Sequence, residues 1–385
     1  MLRTLLLLTA VFISPVVFSQ TIYKSFTSAN FKEERQLKIQ LPRNYHSNTH
    51  KKYPVAIVLD GDYLFEPLAG IIDYYSYWDE IPETIVVGIN QSESRENDSY
   101  YDDSRHLPFG TGAAFYEFIG MEVLPYITRT YRTTHFATIV GHDLTANFAN
   151  YFLFKSQPLF RAYVNLSPDL APQMANRLRG TFNRLDTKTW YYLATGSEDI
   201  PDLRTGALDL DQELSAIENP NFGYGFDDFS DSNHYTFIGQ ALPKAMETVF
   251  KSYRPITNKE YEENILTADS PFQYLSDKYE TIQKSFGIEI PVRINDFLAV
   301  GKALEVTEKW EELELLGKMA SEQRPAYILG AYFSGRAYEA LGDSERAIKT
   351  YRSSWDKEEI AFMTVDYLLQ RAENIERGQA SPLSQ

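Results

Sequence analysis

The sequence predicts a doubly wound, mostly parallel α/β domain followed by an all-helical region, on three observations. β-rich apolar runs alternate with helical stretches from about Thr21 to Arg254. One of those runs passes through a tight turn, Gly141-His142-Asp143, directly into a helical segment. Beyond Pro255 the β-like runs stop, and Glu, Lys, Leu and Ala take over.

Taken in order, Arg35 to Leu41 alternates as an early strand and ends at Pro42. Val55 to Leu59 and Ile85 to Ile89 are continuous apolar runs, as expected of strands buried on both faces. The first closes on the turn residues Asp60-Gly61-Asp62. The second gives way to a polar stretch, Asn90 to Arg105, that reads as a surface loop. Gly112 to Tyr131 carries Phe115, Phe118, Ile119 and Leu124 at helical spacing. Phe136 to Val140 is a strand, and Ala146 to Phe154 the helix after its turn. Ala162 to Leu166 and Trp190 to Ala194 read as further strands, Leu208 to Ile217 as a helix, and His234 to about Tyr253 as the last helix of the domain.

The expected organisation is a leader at 1–20, an α/β domain at 21–255, linker helices at 256–284 and a helical domain at 285–385. Met1 to Gln20 has the charge of Arg3 and an apolar run, Leu5 to Phe18, too short to span a bilayer comfortably. It predicts a cleaved signal peptide and a periplasmic or secreted protein. In the helical domain Gly335, Tyr338, Gly342, Ala347 and Tyr351 sit at tetratricopeptide-like positions, and Gly301 precedes Gly335 by 34 residues, one period of that repeat. The earlier copy is degenerate, with Gly317 where an aromatic belongs. Ordinary antiparallel helix pairs are the other reading. A domain of this kind implies a protein partner.

Composition excludes several classes. The chain has 385 residues, 43% hydrophobic and 14% aromatic, enough to build a large core. It has no cysteine, so that core must stabilise it without disulfides. A net charge of −16 would repel nucleic acid and anionic membranes. No downstream segment has the apolar length of a membrane span, and no phosphate loop, zinc spacing or nucleic-acid motif occurs, so neither cofactor nor metal is expected. Asp227, Asp228 and Asp231 read as a solvated loop, and His135 and His142 as structural residues flanking a buried strand. The tyrosines of Asp73 to Trp78 and Ser99 to Tyr101 read as packing, with an aromatic cleft for a ring-bearing ligand as the alternative.

Several separate motifs resemble one family. Val58-Leu59-Asp60-Gly61 follows the first core strand. Leu124-Pro125-Tyr126-Ile127 leads to Tyr131-Arg132-Thr133, and Pro158-Leu159-Phe160 leads through Tyr163 to Ser167-Pro168. In this order, over about residues 35 to 253, they resemble the α/β-hydrolase esterases of the enterochelin-esterase and esterase D kind. The resemblance implies an α/β-hydrolase fold acting on a small ester. It also implies that the turn at Gly141 to Thr145 is a nucleophile elbow, G-x-S-x-G in the family. Chain order then places the catalytic histidine at His234 and the acid at Asp199 or Glu198, with Asp209 a weaker third. The oxyanion hole would use the N–H of Leu144 and one from the Gly61-Asp62 turn.

The chain departs from the family at Asp143, where the serine should be, and at Thr145, where a second glycine should be. A carboxylate has no proton to surrender to a histidine and is a weak nucleophile toward an ester carbonyl. Three readings follow. The domain is a catalytically silent binding or adaptor module for a small ester or its acid product; or Asp143 attacks an sp³ carbon bearing a leaving group; or Asp143 or His234 acts as general base on water. For the second, such hydrolases follow their aspartate with a tryptophan, and this chain has Leu144.

Overall fold

The structure, a computed structural model, describes residues 21–29, 33–155 and 157–378; the expected leader, Met1 to Gln20, lies outside them. Eight strands form one sheet: β1 (Thr21–Thr27), β2 (Glu34–Gln40), β3 (Tyr53–Val58), β4 (Ile85–Ile89), β5 (Thr133–His142), β6 (Ala162–Leu166), β7 (Thr189–Glu198) and β8 (Phe222–Asn233). Their order is β1-β2-β4-β3-β5-β6-β7-β8. β2 pairs antiparallel with β1 and β4, and the remaining pairs are parallel.

The central strands β3, β4 and β6 are buried along their whole length, which is why they read as unbroken apolar runs. Alternate residues feed two cores. Ile57, Val87, Ile139, Tyr163 and Tyr191 face one layer of helices, and Val58, Val86, Val140, Val164 and Tyr192 face the other. The parallel connections raise the carboxyl ends of β3, β5 and β7 to one edge, where the turns after them meet.

Several elements differ from expectation. β1 and β8 are the edge strands, and neither carries the apolar signature of the centre. Asp227, Asp228 and Asp231 therefore lie in β8, not in a loop; Asp227 accepts from the Tyr192 hydroxyl at 2.8 Å, and Asp228 is clamped by Arg204. The helix expected near Leu208 starts earlier, at Pro201, and ends at Leu214. The final helix runs Ile238–Val249, leaving His234 in the turn before it.

The helical region comprises Pro271–Phe286, Ile294–Val306, Trp310–Gln323, Leu329–Ala340, Ser344–Arg352 and Val365–Glu376, around a third core. Gly301, Gly317 and Gly335 sit where helices touch. A Cβ on Gly301 would lie 2.2 Å from the Phe333 ring, and one on Gly335 would lie 2.3 Å from the Tyr351 ring. Gly317, where the repeat reading expects an aromatic, instead admits Ser334 at 2.2 Å from such a Cβ.

The segment 256–284, expected to link the domains, does more than link. Helix Pro271–Phe286 runs past its boundary, places Leu275 in the helical core and drives Phe286 into the sheet domain. There the Phe286 ring lies 5.0 Å from Phe136, 5.2 Å from Phe250 and 5.6 Å from Trp190. Asp79, which accepts from the Tyr253 hydroxyl and pairs with Arg293, ties the same junction. No described helix is long and apolar enough to cross a membrane.

Candidate active site

The turn after β5 is an elbow. Asp143 has φ 58° and ψ −119°, a conformation that a non-glycine residue reaches only when its surroundings hold it there. Helix Leu144–Asn150 starts at once and folds back over the strand. The backbone passes so close that a Cβ on Gly141 would lie 2.6 Å from the Thr145 carbonyl carbon and oxygen. Thr145, in the place of the family's second glycine, is accommodated by its hydroxyl. That group accepts from the His142 N–H at 2.9 Å and donates to Asp60 Oδ2 at 2.7 Å.

Asp60, at the carboxyl end of β3, is buried and anchors a charged network. The Arg95 guanidinium donates to both its oxygens, Nε to Oδ1 at 2.8 Å and Nη2 to Oδ2 at 3.2 Å. Nη2 also meets the His142 carbonyl at 2.8 Å, and Nη1 reaches Asp143 Oδ2 at 3.1 Å. The carboxylate at the nucleophile position is thus one arm of an Asp60–Arg95–Asp143 bridge, with Tyr63 donating its hydroxyl proton to Asp60 Oδ2 at 3.0 Å.

Neither Arg95 nor Asp60 stood out as a site residue in the sequence. Arg95 comes from the polar stretch 90–105, which is no simple surface loop. Gln91, Asp98 and Ser99 in it are buried, and Asp98 accepts from Arg35, Gln91 and Ser94. Burial raises the Asp98 carboxyl above its usual range in spite of those donors. Asp62 holds the start of the stretch by accepting from the N–H groups of Gln91 and Ser92 at 2.6 and 2.9 Å. One signal was available: a carboxylate in an elbow near other acids needs a cation.

The His234 ring meets Asp199, Nδ1 to Oδ1 at 2.7 Å. Burial alone would raise the Asp199 carboxyl. Donation from His234, from the Thr195 hydroxyl at 2.7 Å and from the Ile200 N–H at 2.7 Å outweighs it and holds the group well below the usual carboxylate range. Glu198 is exposed at the end of β7, and Asp209 lies in helix Pro201–Leu214. Among the described residues no hydrogen bond joins His234 to Asp143, whose carboxylate is turned to Arg95.

His142 is buried under His234, ring centroids 4.3 Å apart, with its Nδ1 2.8 Å from the Tyr63 hydroxyl. Burial, then the neighbouring His234 and Arg95, push its pKa down to about 3, so the ring stays neutral. Exposed Tyr235 and Tyr63 flank the pair. Of the oxyanion candidates, Gly61 is engaged, its N–H donating to the Ile89 carbonyl at 2.8 Å. The N–H groups of Leu144 and Asp62 have no acceptor among the described residues. No group of three or more His, Asp or Glu side chains among the described residues is placed to hold a metal ion.

The model of the family described as "Putative esterase" matches residues 28–262. An uncharacterised protein of Capnocytophaga ochracea shares 26% identity at a TM-score of 0.84, over 93% of this chain and 100% of its own, helical domain included. An IroE-like serine hydrolase from Shewanella oneidensis is 20% identical, with a TM-score of 0.58 over 78% of this chain and 99% of its own. The siderophore hydrolase EstA of Aspergillus nidulans is 18% identical, with a TM-score of 0.51 over 62% of this chain and 97% of its own. No curated protein matches the chain.

Proposed function

The chain belongs to the esterase family, and from that premise we propose that it is an exported member that binds a small ester, or the acid released from one, without acyl-enzyme turnover. The observation that carries this reading is the ion pair between Asp143 and Arg95 at 3.1 Å. An acyl-serine mechanism needs a hydroxyl whose proton passes to His234. Asp143 offers a carboxylate already neutralised by a guanidinium that is itself fixed by buried Asp60. Attack by that carboxylate on an ester would break its pairing and form an anhydride, more reactive than the ester it came from. Attack on an sp³ carbon meets the same pairing, with Leu144 offering no side-chain donor to a leaving group.

What the site retains suits binding. The free N–H groups of Leu144 and Asp62 can donate to a carbonyl oxygen, and Tyr63 and Tyr235 offer faces to an acyl or aryl portion. Export rests on the leader-like Met1 to Gln20, and the helical repeats are assigned to a protein partner.

A second reading has one observation in its favour, the His234–Asp199 pair at 2.7 Å, which can orient His234 as a general base for water. The purified mature chain, assayed on short-chain p-nitrophenyl esters beside Asp143→Ala and His234→Ala, separates the two. The binding reading expects no turnover above buffer, with the ester series raising the melting temperature. Turnover lost in His234→Ala but kept in Asp143→Ala would establish the water route instead.

A further inference from the structure

A groove of about 770 Å³, lying away from the elbow, concentrates positive charge on a strongly acidic chain. It runs between the end of the elbow helix and helix Met174–Phe182, down to the start of β7. Lys155, Arg161, Arg177 and Arg184 line it, against the single acid Asp186. Asp186 accepts from the Thr187 hydroxyl at 3.0 Å and pairs with none of these cations.

The cations are differently committed. Arg177 is held in place, donating to the carbonyls of His106 and Arg105 at 2.9 and 2.7 Å. Lys155 lies over the Tyr116 ring at 5.0 Å. The side chains of Arg161 and Arg184 make no ion pair or hydrogen bond with any described residue. Many of the chain's other arginines are paired with acids, among them Arg35, Arg43, Arg95, Arg204, Arg293, Arg336 and Arg371. Two unpaired guanidinium forks beside a fixed third, in a chain with 53 acids to 37 cations, make a local field opposite in sign to the whole. Leu107, Phe154 and Leu185 supply an apolar wall.

We propose that this groove is a binding site for an organic oxyanion of two or more charges, a phosphate ester or polycarboxylate attached to an apolar body. The planar guanidinium matches the paired oxygens of such groups, and the apolar wall receives the rest of the molecule. The inference is independent of the reading of the elbow.

Titration calorimetry on the mature full-length protein in low salt tests it, with phenyl phosphate, inorganic phosphate and phenol as probes. The proposal expects phenyl phosphate to bind more tightly than phosphate, phenol not to bind, and added salt to weaken binding. The double variant Arg161→Gln/Arg184→Gln should lose about tenfold or more in affinity, because each charged hydrogen bond removed is worth over ~1.4 kcal/mol. Lys155→Gln, an exposed single change, serves if the double variant does not fold and should weaken binding severalfold. No binding by the parent, or equal binding by parent and arginine or lysine variants, overturns the proposal.

Discussion

Arg95 decides what an aspartate at the elbow can do. Its guanidinium holds Asp60 and Asp143 together, and Asp60 is buried. Arg95→Met leaves that carboxylate with only the Tyr63 and Thr145 hydroxyls, a loss we expect to cost about 3 kcal/mol in urea denaturation. A change below the error of the measurement would show that the bridge is incidental. His142 sets a pH dependence. Its folded pKa of about 3 lies below the unfolded value of roughly 6.5, so the unfolded chain binds the proton first. The stability from keeping this ring neutral is complete above roughly pH 6.5 and drains away as pH falls toward about 3. His142→Gln should flatten that part of the stability profile; an unchanged slope contradicts the assignment. At this scale the sequence yielded Asp143, His234 and a choice of acids, because the elbow and chain order are local signals. It could not yield the pairing of Arg95 with Asp60, 35 positions apart. Nor could it separate Asp199 from Glu198, since that depends on which way each side chain leaves the end of β7.

The elbow is the element on which the site depends, and its geometry rests on Gly141. A methyl there would collide with the Thr145 carbonyl, which is backbone and cannot swing aside. Gly141→Ala is expected to destabilise the chain by about 3 kcal/mol or more, read as a lowered denaturation midpoint. A midpoint like that of the parent would mean the turn relaxes freely. Central strands were legible for the reason that makes them central: residues buried on both faces leave unbroken apolar runs such as Ile85 to Ile89. β8 was not legible, because as an edge strand it carries glycines at 223 and 225 and acids at 227, 228 and 231. The same composition describes a loop. Linker helices were expected over 256–284, but not that one of them would run on to Phe286 and drive that ring into the sheet domain.

At the scale of the whole molecule that ring makes two regions into one structure. Phe286→Ala removes contacts with Phe136, Trp190 and Phe250 and should cost about 3–5 kcal/mol. Limited proteolysis should then cut between residues 256 and 293 faster than in the parent, and unchanged cutting would show the junction held elsewhere. The account's central claim also belongs to the assembled protein: the charge of Asp143, not a failure of the surrounding fold, keeps this esterase scaffold from acyl-enzyme chemistry. The most direct measurement is p-nitrophenyl ester hydrolysis by the mature protein, Asp143→Ser and Asp143→Ser/His234→Ala. The account predicts a silent parent, a gain of turnover in Asp143→Ser, and loss of that gain in the double variant. Turnover by the parent that Asp143→Ala abolishes would contradict it, since Asp143 would then itself be the catalytic group.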